Sequence, residues 1–182
     1  MELWYLELIV LEQVGNMYQV NLVKNYLTNS DEIIAIAEKH RDKFSDRSLG
    51  KTYNFSTAYG DSKIKSLFHF NMEDELIDAI FKTIPDNRKT VTSFTINRYD
   101  PGDYLLRHKD SAGGYWKFKL IFLQSDKPHF RWFDENGTPN LVQEEPGALL
   151  EMPIHIEHEV TKIEENEHPK YSLVLAWGNI GY

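Results

Sequence analysis

The sequence predicts a mainly β fold of the α+β class: a barrel or sandwich of short strands, with helices packed on the outside of one sheet. Three observations carry this. Beyond Arg88 the chain breaks into short runs rich in Val, Ile, Leu and aromatic residues, punctuated by Pro, Gly, Asn and Asp, as in all-β sheet systems. Two stretches with helical spacing of apolar residues both precede those runs, so helices and strands are segregated rather than alternating. The length of 182 residues, with 41% hydrophobic and 26% charged residues, suits one compact domain, 1–182, and no repeat or low-complexity tract divides it.

Residues 1–90 read as N-terminal strands and supporting helices. Met1 to Glu12 and Tyr18 to Val23 are expected as strands around a Val14-Gly15-Asn16 turn. Thr28, Ser30 or Asp31 can cap a helix to about Phe44, in which Ile33, Ile34 and Ala37 share a face and Asp31 and Glu32 suit the positive N-terminus. Ser45 to Lys63 is polar and reads as a connection, with a short strand near Tyr53–Phe55 as one option. A second helix fits Met72 to Ile84, with Leu76, Ile77, Ile80 and Phe81 on one face and Pro85 as its stop. In 91–182, strands are expected near Val91–Tyr99, Tyr104–Lys109, Lys117–Gln124, Phe130–Phe133, Asn140–Gln143, Ala148–Glu151, Ile156–Ile163 and Tyr171–Trp177, with turns such as Pro101-Gly102-Asp103, Ala112-Gly113-Gly114 and Pro146-Gly147 between them.

Composition removes several function classes. With no cysteine there is no disulfide scaffold, iron–sulfur cluster, thiolate zinc site or cysteine nucleophile, so any metal must be held by His, Asp, Glu, backbone or water. The net charge of −8 works against nucleic acid and anionic membranes as partners. The longest apolar stretch, Leu3 to Leu11, is too short for a membrane span and lacks the features of a signal peptide, so a cytoplasmic location is expected.

His108 and Asp110 are the most informative residues. In a strand, residues i and i+2 project from one face about 7 Å apart, so one ion can sit between an imidazole and a carboxylate, a donor pair that suits a borderline divalent metal such as Fe(II). A His-x-Asp triplet alone is weak evidence. His158, on a distant strand after the Pro146-Gly147 turn, would complete two histidines and one carboxylate on one side of the ion, leaving three positions open for a cosubstrate and oxygen. His155 is the rival third ligand; strand alternation points it away from the face of His158.

Lys170 and Ser172 form a second i, i+2 pair on the last strand. An ammonium and a hydroxyl together make a carboxylate receptor, and the same face continues through the smaller Val174 and Ala176, leaving room for a ligand. Tyr171, Leu173, Leu175 and Trp177 form the bulky opposite face. Lys162 and Arg107 are the alternative cations, and Tyr115, Trp116, Phe130 and Trp132 are either mouth aromatics or ordinary strand packing.

Residues 94 to 178 resemble the catalytic core of the 2-oxoglutarate/Fe(II)-dependent dioxygenases, prolyl 4-hydroxylase-like branch, through Tyr99-Asp100-Pro101-Gly102, His108-Lys109-Asp110, Pro146-Gly147-Ala148-Leu149, His158-Glu159-Val160 and Lys170-Tyr171-Ser172. The resemblance implies a double-stranded β-helix (jelly roll) spanning 91–182, with the N-terminal helices packed on one sheet. It implies iron bound by His108, Asp110 and His158, and the distal carboxylate of 2-oxoglutarate held by Lys170 and Ser172 with Tyr99 beside them. It further implies O2-dependent hydroxylation of a C–H bond, with release of succinate and CO2; the need for ascorbate stays open. A peptide or protein side chain or a small molecule is the expected substrate. An AlkB-like nucleic-acid demethylase and a non-catalytic metal- or ligand-binding jelly roll are the alternatives. The stretch His129 to Asp134 departs from the acidic, glycine-rich segment that many members of this branch carry there, and residues 1–90 carry no part of the resemblance.

Overall fold

The computed structural model describes residues 8–11, 20–46, 62–110 and 115–178. In chain order these residues form strands β1 (Leu8–Leu11) and β2 (Val20–Val23), helix α1 (Ser30–Lys39), strands β3 (Ser45–Asp46) and β4 (Lys65–Phe68), and helix α2 (Asp74–Phe81). Then come β5 (Ser93–Tyr99), β6 (Leu105–His108), β7 (Tyr115–Gln124), β8 (Phe130–Phe133), β9 (Pro139–Leu141), β10 (Leu149–Glu151), β11 (His158–Val160) and β12 (Lys170–Gly178). The expected Val14-Gly15-Asn16 and Ala112-Gly113-Gly114 turns and the optional strand near Tyr53–Phe55 lie outside the described residues.

Two antiparallel sheets result among the described residues, one of eight strands in the order β1-β2-β10-β7-β12-β5-β4-β3 and one of four in the order β6-β11-β8-β9. The large sheet takes strands from both sides of residue 90, since β2 pairs with β10 and β4 with β5. Strand alternation gives this sheet two working faces. Its outer face is apolar, and Ile96 and Leu173 share a buried cluster with Ile33 and Ile36 of α1 and Leu76 and Ile80 of α2. Each such fully buried aliphatic side chain contributes about 1.5–3 kcal/mol. The inner face meets the small sheet through a second cluster that includes Leu22, Phe122, Leu150, Phe130, Trp132 and Val160.

The helices are shorter than their apolar spacing predicts. Helix α1 stops at Lys39, a 3-10 turn covers Arg41–Lys43, and Phe44 returns to extended backbone to pack on the outer core. The N-cap is Asn29 rather than Thr28, Ser30 or Asp31. Its amide donates to the Ala79 carbonyl of α2 at 2.9 Å while Thr83 donates to its side-chain oxygen at 2.8 Å, so the residue that starts one helix also ties it to the other. Strand β4 lies in a segment without hydrophobic period. Ser66 faces inward there and donates to Asn97 Oδ1 at 2.7 Å, so a hydrogen bond replaces the apolar contact that periodicity detects.

Two glycines set the path of the chain near the site. Asp103 N–H donates to Asp100 O at 2.8 Å across Pro101-Gly102, and Gly102 has φ +87°, a type II turn that carries the chain from β5 into the small sheet. Gly147, ahead of β10, has φ +79°, and a Cβ there would stand 1.9 Å from the Leu27 carbonyl oxygen.

Candidate functional site

Strands β6 and β11 pair antiparallel with His158 directly opposite His108, so both imidazoles project to the same inner face, with ring centroids 4.3 Å apart. Strand β6 ends at His108, one residue short of the expected strand. The Asp110 N–H nevertheless donates to Ile154 O at 3.1 Å, which keeps the segment extended and the carboxylate on the histidine side. His108 Nε2 lies 3.5 Å from Asp110 Oδ1, and His158 Nε2 lies 3.4 Å from Asp110 Oδ2. One donor atom from each residue falls within 4.8 Å of the other two, a spacing that one ion bound at about 2.0–2.2 Å to each can draw together.

The backbone selects the tautomer of both rings. His108 Nδ1 lies 2.7 Å from Leu106 O and His158 Nδ1 lies 3.1 Å from Ile156 O. A carbonyl only accepts, so Nδ1 carries the proton and each neutral ring turns an Nε2 lone pair toward Asp110. Burial pushes the His158 imidazolium below its ordinary range, against the pull of Asp110, and so favours the neutral, ligating form.

The cluster opens on a cavity of about 150 Å³ between the sheets. That is below the ~300–1,000 Å³ usual for drug-sized ligands and suits a small metabolite. The register of β12 against β5 builds one wall: Lys170 faces Tyr99, Ser172 faces Asn97, and Val174 and Ala176 face Thr95 and Ser93. Phe122 and Phe130 supply apolar walls, and Phe130 stacks on His158 with centroids 5.4 Å apart. Lys170 is buried with its Nζ 5.1 Å from the Phe122 ring centre, and it forms an ion pair with the fully enclosed Glu144. Burial pushes the Lys170 ammonium down to about 7.

All six residues singled out from the sequence, His108, Asp110, His158, Lys170, Ser172 and Tyr99, line this one cavity. His155 is exposed and stands outside the cluster. Of the alternative cations, Lys162 is exposed and Arg107 pairs with Glu157. Trp132 belongs to the inter-sheet core rather than the cavity wall, whereas Phe130 belongs to both. The side chains of Tyr115 and Trp116 lie outside the description. Sequence reasoning missed Asn97 and Glu144. Asn97 could have been found as the i−2 neighbour of Tyr99 on the same strand face. Glu144 sits in a loop, and no local pattern marks it.

No protein-family profile matches the sequence, and no curated protein matches it. Solved structures do resemble its fold. A prolyl hydroxylase from Trichoplax adhaerens, in complex with a hypoxia inducible factor oxygen degradation domain peptide fragment, superposes with a TM-score of 0.65 at 14% identity over 87% of this chain and 83% of that one. A Pseudomonas putida prolyl-4-hydroxylase gives 0.56 at 15% identity over 88% and 92%. The non-heme alpha ketoglutarate dependent carbocyclase SnoK from nogalamycin biosynthesis gives 0.63 at 9% identity over 88% and 79%. The chain thus has the jelly-roll fold of the 2-oxoglutarate- and Fe(II)-dependent oxygenases, prolyl hydroxylases among them.

Proposed function

We propose that the protein is a 2-oxoglutarate- and Fe(II)-dependent oxygenase that hydroxylates a C–H bond of a peptide or protein side chain or of a small molecule. One arrangement supports this reading: two imidazole lone pairs and a carboxylate converge at one point of a cavity that also holds a buried lysine, in a fold shared with enzymes of that chemistry. The donor set of two neutral nitrogens and one anionic oxygen fits a borderline divalent ion with open positions. His108, Asp110 and His158 would hold the iron. When bound, Fe(II) with 2-oxoglutarate and O2 supplies the oxidising chemistry, with succinate and CO2 as co-products.

The chain itself binds and orients. The Leu106 and Ile156 carbonyls hold the protons on the two Nδ1 atoms and keep the rings from turning. Lys170 takes the far carboxylate through its ammonium donors, with Ser172 and Tyr99 as hydroxyl donors at the same end. Phe122, Phe130 and Leu150 exclude water, which strengthens each polar contact inside. In this reading residues 91–182 carry the site, and residues 1–90 add strands and helices that support it. A peptide substrate is favoured by the Trichoplax adhaerens complex and a small molecule by the carbocyclase. The charge of −8 argues against nucleic acid. No helix among the described residues is long and apolar enough to cross a membrane.

The test is spectroscopic and then chemical. Anaerobic protein given Fe(II) and 2-oxoglutarate should develop a weak visible charge-transfer band, and admission of O2 should yield succinate. A metal-binding protein without turnover would give no succinate. Asp110→Ala should lower divalent-metal affinity by ~100-fold or more and abolish both signals, because it removes the anionic ligand. Full activity in that variant would remove Asp110 from the centre.

A further inference from the structure

The Glu144 carboxylate is sealed from solvent, and one of its oxygens accepts the backbone N–H groups of His129, at 2.7 Å, and Phe130. Its other oxygen pairs with Lys170. Glu144 is not among the residues that line the cavity, whereas Lys170 and Ser172 are. Two backbone donors anchor the carboxylate behind Lys170, so it does not swing to water when a ligand arrives. A diacid entering the cavity therefore meets a lysine already neutralised from behind.

We infer that Glu144 is a built-in counter-ion of Lys170 that makes the far end of the cavity electrically neutral and so sets how strongly the site prefers a dianionic 2-oxo acid over a monoanionic one. This rests on the oxygenase reading above. In such a pocket the far carboxylate is held by hydrogen bonds from the remaining Lys170 donors and from Ser172, while it is repelled by the negative charge behind the lysine. Glu144 touches neither metal nor ligand in this account, so it is a specificity-determining residue acting through Lys170.

The test uses the full chain loaded with Mn(II), a redox-inert stand-in, and calorimetric titration with 2-oxoglutarate and with 2-oxopentanoate, which has the same chain length but no far carboxylate. Glu144→Gln retains an oxygen for the two backbone donors and removes the charge. It should bind 2-oxoglutarate ~10-fold or more tighter than the wild type, with 2-oxopentanoate changed by less than ~2-fold. Unchanged or weaker 2-oxoglutarate binding, or equal tightening of both acids, would overturn the inference. The wild type alone supplies a second measurement should the variant not fold. It should prefer the diacid by less than ~100-fold, the range of hydrogen bonds to a charged group, and a larger preference overturns the proposal. If neither acid binds the metal-loaded wild type, the oxygenase reading fails and takes this inference with it. Diacid binding without the Glu144→Gln gain fails the inference alone.

Discussion

Lys170 carries two burdens, since it is a cavity-facing cation and half of an enclosed ion pair. An enclosed pair is costly to break because the survivor stays charged and dry. Lys170→Met should therefore destabilise the protein by about 3–5 kcal/mol, beyond any effect on ligand binding, by stranding Glu144. The double variant Lys170→Met, Glu144→Gln should recover most of that loss, read as the urea midpoint of each protein. An additive double variant would show that the two side chains do not interact.

Among the elements, β12 does the most positioning. It lies between β7 and β5, presents Lys170, Ser172, Val174 and Ala176 to the cavity and buries Leu173 and Leu175 against the helix side. Its neighbour β7 is joined to β10, and the turn ahead of β10 depends on Gly147. Gly147 N–H donates to Phe122 O at 2.7 Å while its own carbonyl accepts from Leu27 N–H at 3.0 Å. Gly147→Ala should lower stability by about 2 kcal/mol or more, since the left-handed backbone costs a side chain about 1–3 kcal/mol and the Cβ would strike the Leu27 carbonyl. Thermal unfolding measures this. An unchanged melting temperature would mean that the Leu27 segment moves aside freely.

At the scale of the whole molecule, burial works against the charged form of three histidines. It lowers the pKa of His69, His129 and His158 below the ordinary 6.5. A group with a lowered folded pKa binds its proton more readily when the chain is unfolded, so the unfolded state gains protons first as pH falls. Stability should be full above about pH 6.5 and decline as pH drops through the window below it, steeper than in a His69→Gln variant. Chemical unfolding at pH 7.5, 6.5 and 5.5 checks the slope; a flat profile would mean that none of these rings is protected. Acid should weaken metal binding in the same window, because the ligating rings must be neutral.

What could be read along the chain was what is local. Strand alternation is a two-residue rule, so the cavity face and core face of β12 were legible from Lys170 to Trp177 without any partner, and the His108–Asp110 spacing likewise needed only one strand. Glycine and proline turns marked most strand ends within a few residues. Contacts between remote segments were less legible: His158 was an expected third member of the cluster, but the strand pairing that brings it there was not. That His158 stands across from His108 is a matter of register between strands, that Glu144 pairs with Lys170 depends on the fold of a loop, and that Asn29 stands at the start of one helix while its side chain bonds to the other requires both helices in place. Strand β4 escaped notice because its inward residue is satisfied by a hydrogen bond to Asn97, and hydrogen bonds, unlike hydrophobic burial, leave no periodic trace in composition. Short-range periodicity is written residue by residue, whereas a pairing between remote segments exists only once the sheets have closed on each other.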